Sequence, residues 1–521
     1  MNKSSGSPDN FLKDTYWLVS GKSASFTRSM LLFPMLLALL LRLPLLMWPE
    51  AIYNDSTIYV HAAKGILRGN WSETVVPPFY PMLIAFTNSM CGDFELSGIL
   101  VSVVFGILLV IPVFYLGMEL YSARVGMIAA LLAAVQPYLF KYSGSVLTES
   151  LYYTLIAAIV LMAMRCLNTG KHINAALFGT LTAIGYLVRP EAVGFLIVFG
   201  VWILFFTPAK IGWPFLRRFS LVLLAGFCFI IFSSPYLLLL RKELGRWELS
   251  KKVSVMMNTL EGENSAEVLP GEAFQKKQLT VRSFLHNPIP FMKAIISGPF
   301  LALYKYQQAF NPVLFLLVFW GFWRRKGGYR PWRQNLFVLS FVLFFFALVF
   351  PMFRVSPRYT SHMIPIALPW AAYGFLGFIT AISSWKIQGK FAERATPLIL
   401  LLLMAGLLTQ GIEQRKREHR MVQKQAGLWL KENVPRGQKL MSRTVQEAFY
   451  ADMVLVRMPE GNFEEAIKAA RSQSIRFIII DEKTRKQFQN FDKESHRHGL
   501  VLLRSWEKGK REVSVFEITK P

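Results

Sequence analysis

The chain has few cysteines, few acids and little charge of any kind. Three cysteines, Cys91, Cys166 and Cys228, stand far apart in 521 residues. Isolated thiols without ligand or pairing spacings exclude a disulfide scaffold and a cysteine metal centre. There is no glycine-rich phosphate loop and no cluster with metal-ligand spacing. Charged residues make up only 17%, with 32 acids against 58 Lys and Arg, a formal net charge of +26. In a soluble protein such an excess points to nucleic acid. No basic module interleaved with aromatics accompanies it here, so nucleic acid is not expected as a partner.

What the chain has is apolar length: 53% of residues are hydrophobic. The run from Met30 to Leu41 is apolar on every side, unlike a solvated surface helix. Such runs, roughly 20 residues long, recur and read as membrane-spanning helices. About eleven spans are expected on that length rule, near 29–49, 96–120, 124–142, 147–165, 173–188, 191–207, 218–240, 296–323, 335–353, 361–384 and 396–412. Lys13, Lys22 and Arg28 precede the first span. Arg124, Arg165 with Lys171, Lys210 with Arg217 and Arg218, the cluster Arg324 to Arg333, and Lys386 with Lys390 and Arg394 follow the even-numbered ones. Cytoplasmic loops collect Lys and Arg, which puts the N-terminus in the cytoplasm. Residues 1–28 show no cleavable signal pattern, so the first span is expected to stay as an anchor.

The opposite face then receives the loops 50–95 and 241–295 and, after an odd number of spans, residues 413–521. That tail has soluble character, with helical patterns near Gln423–Glu432 and Phe463–Arg471 and strand patterns at Phe477–Asp481, Val501–Trp506 and Val513–Ile518. The expectation is an all-α polytopic membrane domain, 29–412, followed by a small extracytoplasmic α/β domain.

Ionisable side chains at membrane depth are costly and usually face a cavity or a partner. In this threading those of the chain gather at one face. Tyr59, Ala62, Ala63, Ile66 and Leu67 recur at helical spacing in the first loop, marking an amphipathic helix at the membrane surface. Asp55 stands near its beginning, where an N-cap is the plainer explanation. Arg42, at the end of the first span, either snorkels to the interface or holds a nearby carboxylate. Val76-Pro77-Pro78-Phe79-Tyr80-Pro81 breaks the helix and permits a re-entrant turn. Thr148-Glu149 opens the fourth span, as a capped start or as a carboxylate aimed into a cavity. Arg189 and Glu191 flank Pro190 at a hairpin tip, paired with each other or with a ligand. Arg354, Arg358, Tyr359 and His362 lie at the turn between spans nine and ten, and Lys305 lies in the same external half. The planar guanidinium fork of Arg suits phosphate.

The span ending in Arg42-Leu43, the Asp55 loop with its Tyr and Ala spacing, and the Pro-Pro-Phe-Tyr-Pro turn together resemble the C-type (GT-C) glycosyltransferases. The likeness is to the family 39 branch of protein O-mannosyltransferases and the lipid A aminoarabinose transferase. Thr148-Glu149-Ser150-Leu151, Leu187-Val188-Arg189-Pro190-Glu191-Ala192 and Arg358-Tyr359 followed by Pro365 and Pro369 are similar to the same group. The likeness spans about residues 30–390.

That resemblance implies an enzyme of the bacterial inner membrane moving a sugar from a polyprenyl (undecaprenyl) phosphate to a lipid, glycan or protein acceptor at the outer face, with inversion. Asp55 takes the role of base, and Glu149 is the other catalytic candidate, orienting a donor, acceptor or cation in the cavity. Arg358, Tyr359, Arg189, Lys305 and Arg354 are the candidates for donor phosphate. Arg42, Tyr59, Glu191 and His362 support them. Relatives with a second acid directly after the Asp differ from this chain, which has Ser56 there. A divalent cation held by the carboxylates stays open. A polymerase or ligase of envelope glycans shares the lipid-phosphate substrate, and a flippase also places charge in a membrane cavity. Transporters usually carry internal repeats and hold their substrate at the bilayer midplane; no repeat is visible here.

Overall fold

The fold was obtained as a computed structural model of the full chain. It describes residues 24–48, 50–71, 76–207, 213–251, 288–323, 329–350, 355–384, 389–416, 418–435, 437–459, 461–488, 491–509 and 511–519. They fall in two compact units: residues 24–47, 62–251 and 288–414 form one, and residues 48–61 and 415–519 form the other.

The first unit is helical throughout. Seven of its described helices are long and apolar enough to cross a bilayer, eight if the bent pair Ala123–Val135 and Pro137–Ser143 counts as one span. The chain is a multi-pass membrane protein. Several helices follow the expected spans closely, among them Phe94–Leu108 with Val110–Leu120, Glu149–Thr169 and Phe215–Leu244. The bend in the pair is 56°, and Pro137 explains it, because its ring removes an N–H donor. Gln136 caps the new start, its side chain accepting from Leu139 N.

The expected single span 296–323 is a correction. It is two helices, Pro288–Phe310 and Pro312–Trp323, separated by Asn311 at φ 79°. Asn tolerates the left-handed region, and its side chain is anchored there: Oδ1 accepts from Val313 N at 2.9 Å and Nδ2 donates to Gln410 Oε1 at 2.7 Å. The expected spans 173–188 and 191–207 are the shorter helices His172–Tyr186 and Val193–Phe205.

The segment 50–95 holds more structure than a turn. It contains the expected helix, Asn54–Leu67, and a second one, Phe79–Cys91, that starts directly after the proline pair. Phe79 N donates to Leu187 O at 3.0 Å, tying the Pro-Pro turn to the segment just before Arg189. Of the loop 241–295, residues 252–287 lie outside the described residues.

The second unit is built on a five-stranded sheet in the order β2-β1-β3-β5-β4: β1 Lys439–Ser442, β2 Val454–Arg457, β3 Phe477–Asp481, β4 Leu500–Lys508, β5 Arg511–Ile518. β1 runs parallel to β2 and β3, and β5 runs antiparallel to β3 and β4. Side chains alternate across a strand, so β3 serves two cores. Phe477 and Ile479 pack with Val422, Ala426, Leu430 and Ala448, from the helices Glu418–Asn433 and Val445–Ala451. Ile478 and Ile480 pack with Phe463, Ile467 and Phe491 on the other face. A strand buried on both faces reads as the unbroken apolar run Phe477-Ile478-Ile479-Ile480.

Candidate functional site

Glu149 is the first residue of the helix Glu149–Thr169 and is fully buried. A helix N-terminus is favourable ground for a carboxylate, but a buried charge needs opposite charge as well. Two arginines supply it. Arg189 NH2 lies 2.8 Å from Glu149 Oε1, and Arg358 Nε lies 2.5 Å from the same oxygen. Glu149 Oε2 has no hydrogen-bond partner among the described residues. Thr148 precedes the helix without capping it. Its hydroxyl accepts from Arg189 Nε at 3.0 Å instead, so the start of this helix is spent on the arginine.

Arg189 reaches this place because the helix His172–Tyr186 has ended. Its backbone is extended (φ −148°, ψ 123°) and Pro190 opens a short 3-10 turn, Pro190–Ala192. Its third nitrogen, NH1, pairs with Glu191 Oε1 at 3.2 Å. The hairpin-tip pair thus exists, but it is one edge of a larger cluster. Arg189 also lies over the rings of Tyr152 and Tyr359, at 5.7 and 5.3 Å from their centroids.

Arg358 belongs to the short helix Pro357–Thr360, capped by Ser356 Oγ, which accepts from Tyr359 N. Ser361 Oγ donates to Arg358 O at 2.5 Å and lies 2.6 Å from Tyr153 Oη. Tyr153 is one helical turn beyond Glu149, and positions i and i+4 share a face. The helix that carries Glu149 therefore also holds the turn that carries Arg358. Tyr152, Tyr153 and Ser361 are members of this cluster that sequence reasoning missed; for the two tyrosines the i+3 and i+4 spacing from Glu149 was the available signal.

His362 is buried with its ring edge-on to Tyr152 (centroids 5.0 Å apart), near Tyr153 and Tyr359. Neither ring nitrogen has a hydrogen-bond partner among the described residues. The cluster combines a buried guanidinium, Arg189 at 10% exposure, with a half-buried one, Arg358 at 21%. Arginines oriented by a buried carboxylate and packed on aromatic rings make a rigid receptor for an oxyanion.

The structure brings Glu149, Arg189, Glu191, Arg358, Tyr359 and His362 together. Lys305 Nζ donates to Gln308 Oε1 at 3.2 Å and lies over Tyr304. Arg354 falls outside the described residues. Arg42 neither snorkels nor holds a carboxylate. It is fully buried, donating through Nε to Ser143 Oγ (3.0 Å) and through NH1 and NH2 to the carbonyls of Ala134 (2.9 Å) and Ala133 (3.3 Å). Those carbonyls end a helix and lack partners within it, so Arg42 acts as a helix cap at the bend before Pro137. Asp55 stands in the first turn of Asn54–Leu67, half-buried, in the second compact unit with Tyr59. Among the described residues no group of three or more His, Cys, Asp or Glu side chains is placed to hold a metal ion.

Residues 75–238 match the family model described as dolichyl-phosphate-mannose-protein mannosyltransferase. Among solved structures, the chain is similar to ArnT from Cupriavidus metallidurans, with 12% identity and a TM-score of 0.56 for the form bound to undecaprenyl phosphate, covering 95% of this chain and 98% of that one. The apo form of that protein gives 13% identity and a TM-score of 0.56, covering 95% and 99%. The apo oligosaccharyltransferase of Archaeoglobus fulgidus gives 12% identity and a TM-score of 0.51, covering 88% of this chain and 70% of that one. No curated protein matches the sequence.

Proposed function

We propose that this chain, a membrane glycosyltransferase with the C-type fold, moves a sugar from an undecaprenyl-phosphate-type donor to an envelope acceptor at the extracytoplasmic face of a bacterial inner membrane. One observation carries the reading: a single buried oxygen, Glu149 Oε1, holds two arginines from distant segments. Such a hub fits the phosphate of a lipid-linked donor. The co-crystal of ArnT with undecaprenyl phosphate supports the choice of lipid phosphate over a nucleotide.

In this reaction the acceptor hydroxyl gives its proton to the Asp55 carboxylate, which acts as general base. The acceptor oxygen bonds to the anomeric carbon as the bond from that carbon to the phosphate oxygen breaks. The electron pair leaves with the polyprenyl phosphate, whose charge Arg358 and Arg189 offset. A single displacement of this kind inverts the anomeric centre. Glu149, whose Oε1 holds both arginines, has the role of fixing them. The N-terminus is cytoplasmic in this scheme, residues 29–412 form the catalytic membrane domain, and residues 413–521 lie outside.

Mass spectrometry of envelope glycans and lipid-linked sugars, in cells with and without the chain, tests the reading. A missing decoration together with accumulated donor is expected. Asp55→Asn should insert normally and lose turnover. A purified protein that transfers nothing from supplied donor, yet moves that donor across vesicles, overturns the enzyme reading in favour of a flippase.

A further inference from the structure

The segment Trp48–His61 belongs to the same compact unit as the C-terminal α/β domain, and the contacts that hold it there are specific. Ile52 N donates to Tyr450 Oη at 2.8 Å, and Ile52 O accepts from Gln446 Nε2 at 3.3 Å. The same Gln446 amide donates to Asn54 Oδ1. Lys424 Nζ donates to Glu50 O at 3.1 Å, and Arg415 NH2 pairs with Glu50 Oε2 at 3.3 Å, both of the last two side chains being buried. Arg415 also lies over the Trp48 ring.

Both backbone groups of Ile52 are thus bound by side chains of one short helix, Val445–Ala451, and the next contact falls on Asn54, directly before Asp55. Gln446 is fully buried, and a buried amide without its acceptors carries a desolvation cost. Its donor group is committed to these two oxygens. The Gln446 amide and the Tyr450 hydroxyl both reach the loop.

We infer that the C-terminal domain is a positioning device for the catalytic loop, with Gln446 and Tyr450 setting the backbone of Ile52–Asn54 and hence where Asp55 stands. The inference rests on the assignment of Asp55 as base. Neither Gln446 nor Tyr450 touches the substrates; each acts through Asp55.

Misplacement of a reacting group by about 1 Å costs about 10²-fold in rate. Tyr450→Phe keeps the ring and loses only the oxygen that receives Ile52 N, and Gln446→Met keeps the length and loses the amide. Each should lower kcat of the full-length protein by about 10- to 100-fold on that scale, with the donor KM within about 2-fold and insertion unchanged. In an Asp55→Asn background the same changes should lower the residual turnover no further. Wild-type kcat in both single variants, while Asp55→Asn alone leaves only a small residual turnover, overturns the positioning role and leaves the base intact. Further loss on top of Asp55→Asn also overturns it, because the effect would then not pass through Asp55. Near-normal turnover of Asp55→Asn by itself overturns the base assignment and this inference with it.

Discussion

Arg358 Nε and Glu149 Oε1 stand 2.5 Å apart, on the oxygen that Arg189 NH2 also reaches at 2.8 Å. One buried atom sets the direction of two cations. Glu149→Gln keeps the shape and removes that charge, so both guanidiniums lose their anchor together. Removing one partner of a buried ion pair costs about 3–5 kcal/mol, because the opposite charge is left behind. The variant should lower the thermal unfolding temperature in detergent and reduce transfer by about 10²-fold or more, on the scale of misplaced reacting groups. Turnover within a few-fold of wild type would sink the hub.

The two arginines should separate by assay. Arg189 satisfies Thr148, Glu149 and Glu191 at once and is nearly closed off. Arg189→Ala should therefore act mainly on stability, by about 3 kcal/mol on the buried-pair scale. Arg358 is more open, and Arg358→Ala should act mainly on donor use. Arg358→Lys should not rescue it, since an ammonium lacks the planar fork. Donor titration of both variants checks the division: an unchanged donor response in Arg358→Ala refutes its phosphate role.

The helices and the core strands were legible because periodicity and apolar length are local signals. Phe477–Asp481 was written in its own composition, and the helix near Phe463 in its spacing. The edge strand Val454–Arg457 and its neighbour Lys439–Ser442 are four residues each, too short for alternation to register. The break at Asn311 had its mark in the Asn-Pro dipeptide, which the apolar run around it masked. Arg42 was misjudged because the end of a span looks like an interface in a linear sequence. In the folded unit it points at the open carbonyls of Ala133 and Ala134. The side chains that meet Glu149 come from segments some 40 and 209 positions away, and no local pattern announces such partners. The grip of Gln446 on Asn54 is of the same kind.

Glu447, beside Gln446, gives the C-terminal domain a pH dependence. Its carboxyl is buried and receives hydrogen bonds from Ser442 and Thr444. Burial nevertheless pushes its pKa up from 4.5 to about 7, with the Asp481 charge adding to the rise. The folded state then holds a proton that the unfolded chain has released, so stability falls as pH rises between about 4.5 and 7 and levels off above. The full shift corresponds to about 3 kcal/mol at 1.36 kcal/mol per unit. Amide exchange in the strands of the full-length protein should show stronger protection at pH 5 than at pH 8, and Glu447→Gln should flatten that slope. An equal slope in the variant assigns the dependence to another group.

Gly106 tests the capping role of Arg42. A Cβ at position 106 would lie 2.4 Å from Ser143 Oγ and 2.9 Å from Arg42 Nε, inside the hydrogen bond that joins them. Neither atom has room to yield, because Ser143 Oγ also donates to Leu139 O at 2.6 Å and Arg42 is held by two carbonyls. Gly106→Ala should raise the helix propensity of Phe94–Leu108 and still destabilise the protein, by about 1–3 kcal/mol of overpacking. Arg42→Met removes the side chain that caps Ala133 and Ala134, so it should destabilise as well. If the clash is with the Arg42–Ser143 pair, the double variant should lose less than the two single losses added together. Thermal unfolding of the four proteins closes the cycle, and strict additivity would place the strain of Gly106→Ala elsewhere.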